Sequence, residues 1–253
     1  MNTVVMVVEY DGSRYHGFQY QTNAATVQAE MELALKRLTG EDIRVLAASR
    51  TDAGVHAWGQ VVSFRTRASF PLVVWVRGLN HYLPEAISVR RAYLAGYDFD
   101  VRRQATSRAY RYSILNRSAR SPLKRGLTYH FPHSLNVGAM DMASQELLGE
   151  HDFSSFTPVE VGRPVRTVYR AAVERRGEIV MFSIEANSFL PHKARHTAGA
   201  LLQVGRGRMG VAQFQELVRA RTRGLAGPAL PPSGLCLMKV NYPVPLGDQD
   251  DDI

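Results

Sequence analysis

One order of periodicities, strand, helix, strand, strand, helix, strand, constrains the fold of this chain more than any other feature of its sequence. Val4 to Glu9 is a β-branched run. From Thr26 to Leu38 the apolar residues Val27, Met31, Leu35 and Leu38 keep a helical spacing behind a threonine placed to cap it. Ile43 to Ala47 and Gln60 to Phe64 read as strands, Pro71 to Tyr82 as a helix with proline near its first turn, and Ala86 to Tyr93 as a closing strand. The order then returns: a strand at Ala109 to Leu115, a helix at Val137 to Leu148, strands near Val165 to Arg175 and Glu178 to Glu185, helical stretches at Leu190 to Val204 and Val211 to Arg221, and a strand at Cys236 to Tyr242. This is a tandem of split βαβ units. The helices of each unit cover one sheet face only, so the expected fold is α+β, two halves sharing a central antiparallel sheet, helices on its outer face, and a basic groove between the halves. The expected division is an N-terminal half over 1–100, a C-terminal half over 101–245 and an acidic tail over 246–253. The joining segment Leu94 to Ser107 has no Pro/Gly-rich linker, which argues for closely packed halves.

Charge narrows the partners. The chain carries 31 basic and 23 acidic residues, a net charge of +8, and four of the acids sit in the tail, so the body is more basic still. From Val101 to Met140 there is no acid, yet Arg102, Arg103, Arg108, Arg111, Arg117, Arg120, Lys124 and Arg125 fall there. A second acid-free stretch, Ala186 to Gln215, holds Lys193, Arg195, Arg206 and Arg208. Basic stretches interleaved with Tyr110, Tyr112 and Tyr129 suit a polyanion with stackable bases, because counterion release supplies affinity and aromatic faces meet the bases. An Arg-rich solvated surface gives similar counts. The opening residues lack a signal sequence and no apolar run approaches a membrane span, which points to the cytoplasm. The single cysteine, Cys236, lies in GLCLMKV and is expected to be a buried core thiol.

Between the second and third predicted strands lies ASRTDAGVHAWGQ, Ala48 to Gln60, too polar and too rich in small residues for core. Gly54 permits a tight turn, so the Asp52 carboxylate projects from a loop held by strands on both sides. By itself, Asp-Ala-Gly between strands is also an ordinary turn. RTDAGVHA, Arg50 to Ala57, resembles the catalytic signature of the tRNA pseudouridine synthase A family, and it does not stand alone. EYDGSRYHGFQYQ (9–21), ATSRAYRYSI (105–114), GEHDFSSF (149–156), ANSFLPHKARHTAGALLQVGRG (186–207) and PPSGLCLMKVNYP (231–243) resemble further family segments in the family's order.

The resemblance implies an isomerase that detaches uracil from ribose N1-linked and reattaches it through C5, with no metal and no small-molecule cofactor. It implies tRNA as partner, the uridines at positions 38, 39 and 40 of the anticodon stem-loop as targets, and a homodimer. Asp52 is implied as the catalytic nucleophile, toward C1′ or C6, or as the group that stabilises charge at the sugar. A carboxylate in a dry site stays ionised only beside a cation, and the resemblance gives that place to Arg195. Arg50 is implied to enter the helical stack when the target nucleotide turns out. Tyr110 is implied to stack on uracil and assist loss of the C5 proton, while Tyr112, two residues on, shares its strand face and one of the pair could be core. Arg108, Arg111, Lys193 and Arg206 are expected to bind the RNA. Two departures stand out: Ser49 where a glycine usually precedes RTDAG, and Lys193-Ala194 where an apolar pair usually precedes the arginine, the lysine adding a charge near Asp52.

GRGRMG, Gly205 to Gly210, fits a dinucleotide fingerprint in letters but follows a helix where that mechanism needs a strand. His192 and His196 sit four apart without the glutamate of a metalloprotease, and are expected in the basic groove. His56 is expected to pack beside the Asp52 loop. A different class remains open, a non-catalytic RNA-binding protein of two RRM-like halves, since such sheets with aromatic faces bind single strands. Asp52 discriminates: a pure binder gains nothing from an acid in a basic groove.

Overall fold

The computed structural model describes residues 1–244 and 246, and so the acidic stretch of the tail lies outside the described residues. The chain divides into two compact units, Met1–Thr106 with the C-terminal segment from Leu237, and Ser107–Cys236. In chain order the first contains β1 (Asn2–Tyr10), α1 (Val27–Thr39), β2 (Leu46–Ala47), β3 (His56–Thr66), α2 (Leu72–Tyr82) and β4 (Ile87–Ala95). The second contains β5 (Ser107–Leu115), β6 (Tyr129–His130), α3 (Val137–Gln145), β7 (Gly149–Asp152), β8 (Val165–Arg176), β9 (Ile179–Ala186), α4 (Lys193–Gly205) and α5 (Val211–Arg219). The last strand, β10 (Leu235–Asn241), starts in the second unit and ends in the first. The α+β class and the two split βαβ units are as the sequence suggests.

In the first unit the strands run β4-β1-β3, antiparallel throughout, with β2 and β10 on the far side of β3. β1 sets the length of β3, because it pairs along its whole extent, from Asn2 opposite Thr66 to Tyr10 opposite Ala57. β3 is therefore twice as long as its Gln60–Phe64 core suggests. Gly59 lies against β10, where a Cβ would stand 2.6 Å from the Met238 carbonyl oxygen, so only glycine admits that approach. α1 follows its sequence signals: Thr26 caps Ala29, Val27, Met31 and Leu35 are buried, and Gly40 closes the helix in a left-handed turn, its N–H donating to Lys36. Phe64 and Phe70 meet the buried Trp75 of α2 at ring centroid distances of 5.4 and 5.2 Å.

The predicted Ile43–Ala47 strand shrinks to two residues for a definite reason. Ile43 and Val45 are buried, yet the Val45 N–H donates to Glu32 and its carbonyl accepts from Gln28, both on α1, so the ladder bonds are already taken. Pro71 stands outside α2 as its N-cap residue.

In the second unit the order is β5-β9-β8-β7, with β6 parallel to β5. β8 and β9 form a two-residue hairpin through Gly177, at φ 56°, and Glu178. α3 stops three residues short of Leu148 because Glu146, Leu147 and Leu148 donate to carbonyls three residues back, which tightens the chain toward Gly149. α4 begins three residues later than its periodicity suggests: Pro191 disfavours helix at Leu190, and His192 is left-handed at φ 60°. Gly205 ends α4 against α3, where a Cβ would meet the Met140 sulfur at 2.5 Å, so the glycine of GRGRMG serves helix packing. The joining segment belongs to the first unit: Tyr242 donates to the Val101 carbonyl and Thr106 donates to Asn241. Cys236, near the start of β10, is half-buried and so is not the fully buried thiol expected. No helix among the described residues is long and apolar enough to cross a membrane.

Candidate functional site

In the first unit the Asp52 loop leaves β2, turns at Gly54 (φ 76°) and enters β3. Its backbone is held by the loop that follows β1. The Phe18 N–H donates to the Thr51 carbonyl at 3.1 Å, and the Gly54 N–H donates to the Tyr15 carbonyl at 3.1 Å. The loop closes on itself where the Val55 N–H donates to the Asp52 carbonyl at 3.1 Å. From below, the Tyr10 hydroxyl bonds the Thr51 hydroxyl at 2.7 Å, and the fully buried Gln60 amide donates to the Ser49 carbonyl at 2.6 Å. Asp52 itself is half-buried and Arg50 is exposed.

Two glycines admit this packing. A Cβ on Gly12 would stand 2.0 Å from the Val55 carbonyl oxygen, and Gly17, at φ 93°, faces the Thr51 carbonyl at 2.7 Å. Gly12→Ala is therefore expected to push the loop at Val55 and to lower turnover by about a hundredfold, as displacements near 1 Å do at positioned groups, with a smaller effect on tRNA affinity. Rate and affinity measured on the same variant check this, and an unchanged rate contradicts it. His56 is buried beside the loop. Its Nδ1 lies 3.2 Å from the Gly12 amide and 3.1 Å from an Asp11 carboxylate oxygen. These contacts exclude each other: an Nδ1 without hydrogen accepts from Gly12, whereas an Nδ1–H donates to Asp11. Burial raises the Asp11 carboxyl, but hydrogen bonds from Ser13 and the charges of His56 and Arg14 outweigh it, so the group lies below its ordinary value.

In the second unit β5 carries both tyrosines on one face. Tyr112 is fully buried, its hydroxyl donates to the Pro231 carbonyl at 2.7 Å, and Gly234 leaves room for its ring. Burial pushes this phenol well above its usual range, against the pull of the Arg195 charge, which disqualifies it as a base. Tyr110 packs edge-on to Phe189, ring centroids 4.8 Å apart. Tyr112 is thus the structural member of the pair. Arg195, in the first turn of α4, is half-buried; its Nε donates to the Leu230 carbonyl at 2.8 Å, and its own carbonyl accepts the Leu230 N–H at 3.2 Å.

The residues expected to bind RNA separate. Arg206 is half-buried with its guanidinium 5.4 Å from the centre of the Phe131 ring, and Arg111 is half-buried. Arg108 is buried, donating to the Asn187 carbonyl at 2.8 Å, on the Tyr110 face of β5; by the period of two, Arg111 is on the other face. Lys193 has no exposed surface at all, because α4 is buried nearly all round, so it is placed in the interior and away from any phosphate. His196 is buried too, donating from Nδ1 to the Gly227 carbonyl at 2.7 Å, and burial holds its ring below the ordinary histidine value. Reading the sequence missed Gln60, Tyr10 and Thr51; the one available signal was a glutamine inside an otherwise apolar strand.

The model of the tRNA pseudouridine synthase family matches residues 6–102, which include Asp52, and 143–243, which include Arg195. The chain belongs to the tRNA pseudouridine synthase family. It is 40% identical to tRNA pseudouridine synthase A of Herminiimonas arsenicoxydans over 245 residues, 94% of this chain and 89% of that protein. To tRNA pseudouridine synthase A of Aeromonas hydrophila it is 42% identical over 246 residues, 96% of this chain and 91% of that one. Among solved structures, the archaeal box H/ACA sRNP Nop10-Cbf5 complex overlaps with a TM-score of 0.37 at 14% identity, over 80% of this chain and 44% of that one, too slight a likeness to argue from. Members of the family are isomerases.

Proposed function

We propose that this chain converts uridine to pseudouridine in the anticodon stem-loop of tRNA, at positions 38, 39 and 40, with Asp52 as nucleophile. In the reaction the bond from ribose C1′ to uracil N1 breaks, the base turns, C1′ bonds to C5, the C5 proton leaves and N1 takes a proton, so nothing is gained or lost overall. The observation that carries the reading is the support under Asp52. A buried tyrosine and a buried glutamine, two close-approach glycines and three backbone hydrogen bonds all fix one loop of an RTDAG segment. A turn that merely joined two strands needs none of this.

The other roles follow from chemistry. Arg195 neutralises the Asp52 carboxylate, Tyr110 stacks on the loosened uracil and assists loss of the C5 proton, and exposed Arg50 fills the stack from which the nucleotide was turned out. Half-buried Arg111 and Arg206 meet phosphates, and the enzyme works as a homodimer. With chelator present and no nucleotide added, purified protein is expected to form pseudouridine in the anticodon arm; loss of activity with chelator and its return with zinc would overturn the cofactor-free reading. Arg195→Met is expected to lower turnover by at least about a hundredfold while tRNA affinity changes little. Weakened binding with a salt dependence shallower by about one unit of slope, at unchanged turnover, would instead make Arg195 a phosphate contact.

A further inference from the structure

Lys193 is the most unusual group in the second unit. Its side chain is wholly buried, and its Nζ has no hydrogen-bond partner among the described residues. The nitrogen stands 3.2 Å from the centre of the Phe153 ring and 5.3 Å from that of Phe189. Phe189 is in turn the ring that packs edge-on to Tyr110 at 4.8 Å. We propose that Lys193 is a positioning residue: with Phe153 it forms the wall that seats Phe189 against the Tyr110 ring. The inference rests on Tyr110 belonging to the active site, and it says which groups fix that tyrosine.

The seat depends on a proton. An uncharged amine can direct an N–H at the Phe153 face, 3.2 Å away, and needs no charged partner. An ammonium in the same place gains less from the rings than it loses by leaving water. The charged group that weighs on it is Arg166 of β8, which is of like sign. Of the other titratable groups nearby in the chain, the Asp152 carboxylate at the end of β7 accepts the Ser154 N–H and is not among the charges that weigh on the amine, His151 packs on Phe153 at a ring distance of 5.8 Å, and His192 and Arg195 are the basic neighbours at the start of α4. Burial, with Arg166 second, accordingly holds the amine well below the ordinary lysine value. A proton added to Lys193 draws it toward water, and Phe189 loses its support. The left-handed backbone of His192, immediately before Lys193, leaves the segment from Phe189 to His192 outside the helix and able to follow.

The test compares single-turnover rate against pH for the full-length wild type, Lys193→Met and Lys193→Arg, with KM and kcat measured separately at neutral pH. Methionine keeps the volume and cannot be protonated, so its rate is expected within about threefold of wild type at neutral pH, with the acid-side fall displaced to lower pH. Arginine is always charged, so its kcat is expected to drop more than tenfold at unchanged KM. Acid limbs that superimpose for wild type and Lys193→Met overturn the role of Lys193. Tyr110→Phe, run alongside, separates the underlying reading: turnover at the wild-type rate would remove the Tyr110 chemistry itself, whatever Lys193 does.

Discussion

Asp52→Asn is expected to lose more than about a hundredfold in turnover, the scale typical of removing a covalent nucleophile, while its tRNA affinity stays within about threefold. The change keeps the shape and polarity of the side chain. The loop has supports other than the carboxylate: Tyr10 bonds the Thr51 hydroxyl, Gln60 donates to the Ser49 carbonyl, and the backbones of Phe18 and Tyr15 bond those of Thr51 and Gly54. Binding, by contrast, is expected from Arg and Tyr side chains elsewhere, and on the proposed reading the asparagine removes a negative charge from the neighbourhood of phosphate. Single-turnover rates and filter binding on the same preparation separate the two effects. A variant that keeps more than about a hundredth of the wild-type rate contradicts the nucleophile role, and one that loses affinity and rate together points to a collapsed loop.

Lys193→Met is expected to make the protein more stable at neutral pH, with an advantage that shrinks as pH rises. The amine is held well below its ordinary value of 10.5 in the folded protein, mainly by burial, and regains that value on unfolding. Between the lowered value and 10.5 the unfolded chain therefore carries one proton more than the folded one. Stability of the wild type climbs with pH across that window, by about 1.4 kcal/mol for each unit. Above it both states are neutral and the contribution is flat; below it both are protonated and the penalty is at its largest. Methionine has no such slope, and every other titrating group cancels in the comparison. Denaturant unfolding of both proteins at pH 7, 8.5 and 10 measures the gap, which should close by about 4 kcal/mol over that range if the folded value lies below 7. A gap that does not change with pH shows that Lys193 is charged inside the folded protein.

Elements that carry their own start and stop signals were legible in the sequence. α1 has a threonine cap, apolar residues at helical spacing and a closing glycine, and it forms where those signals put it. β2 was not legible, since Ile43 and Val45 have strand propensity and nothing local reveals that Glu32 and Gln28, more than ten residues away, take the bonds of Val45. The same limit applies at the site. Arg50 to Gly54 announced a loop with chemistry, but its support Tyr10 is 41 residues from Thr51, and Tyr10 and Gln60 come together beneath the loop only after β1 and β3 pair. Arg108 and Lys193, expected to bind the RNA, are buried. A periodicity argument could have separated Arg108 from Arg111, which alternate across β5; none could have buried Lys193, because α4 has almost no solvent face from which to count.

Release of tritium from tRNA labelled at uridine C5 tests the reaction and its nucleophile together, because isomerisation is the step that expels that hydrogen. The wild type, in the presence of chelator, is expected to release the label from the anticodon arm in a single turnover, and Asp52→Asn to release none above background while binding the same tRNA. Release by Asp52→Asn at a rate close to wild type, or none from the wild type without added metal, would contradict the proposal that the Asp52 carboxylate carries the reaction unaided.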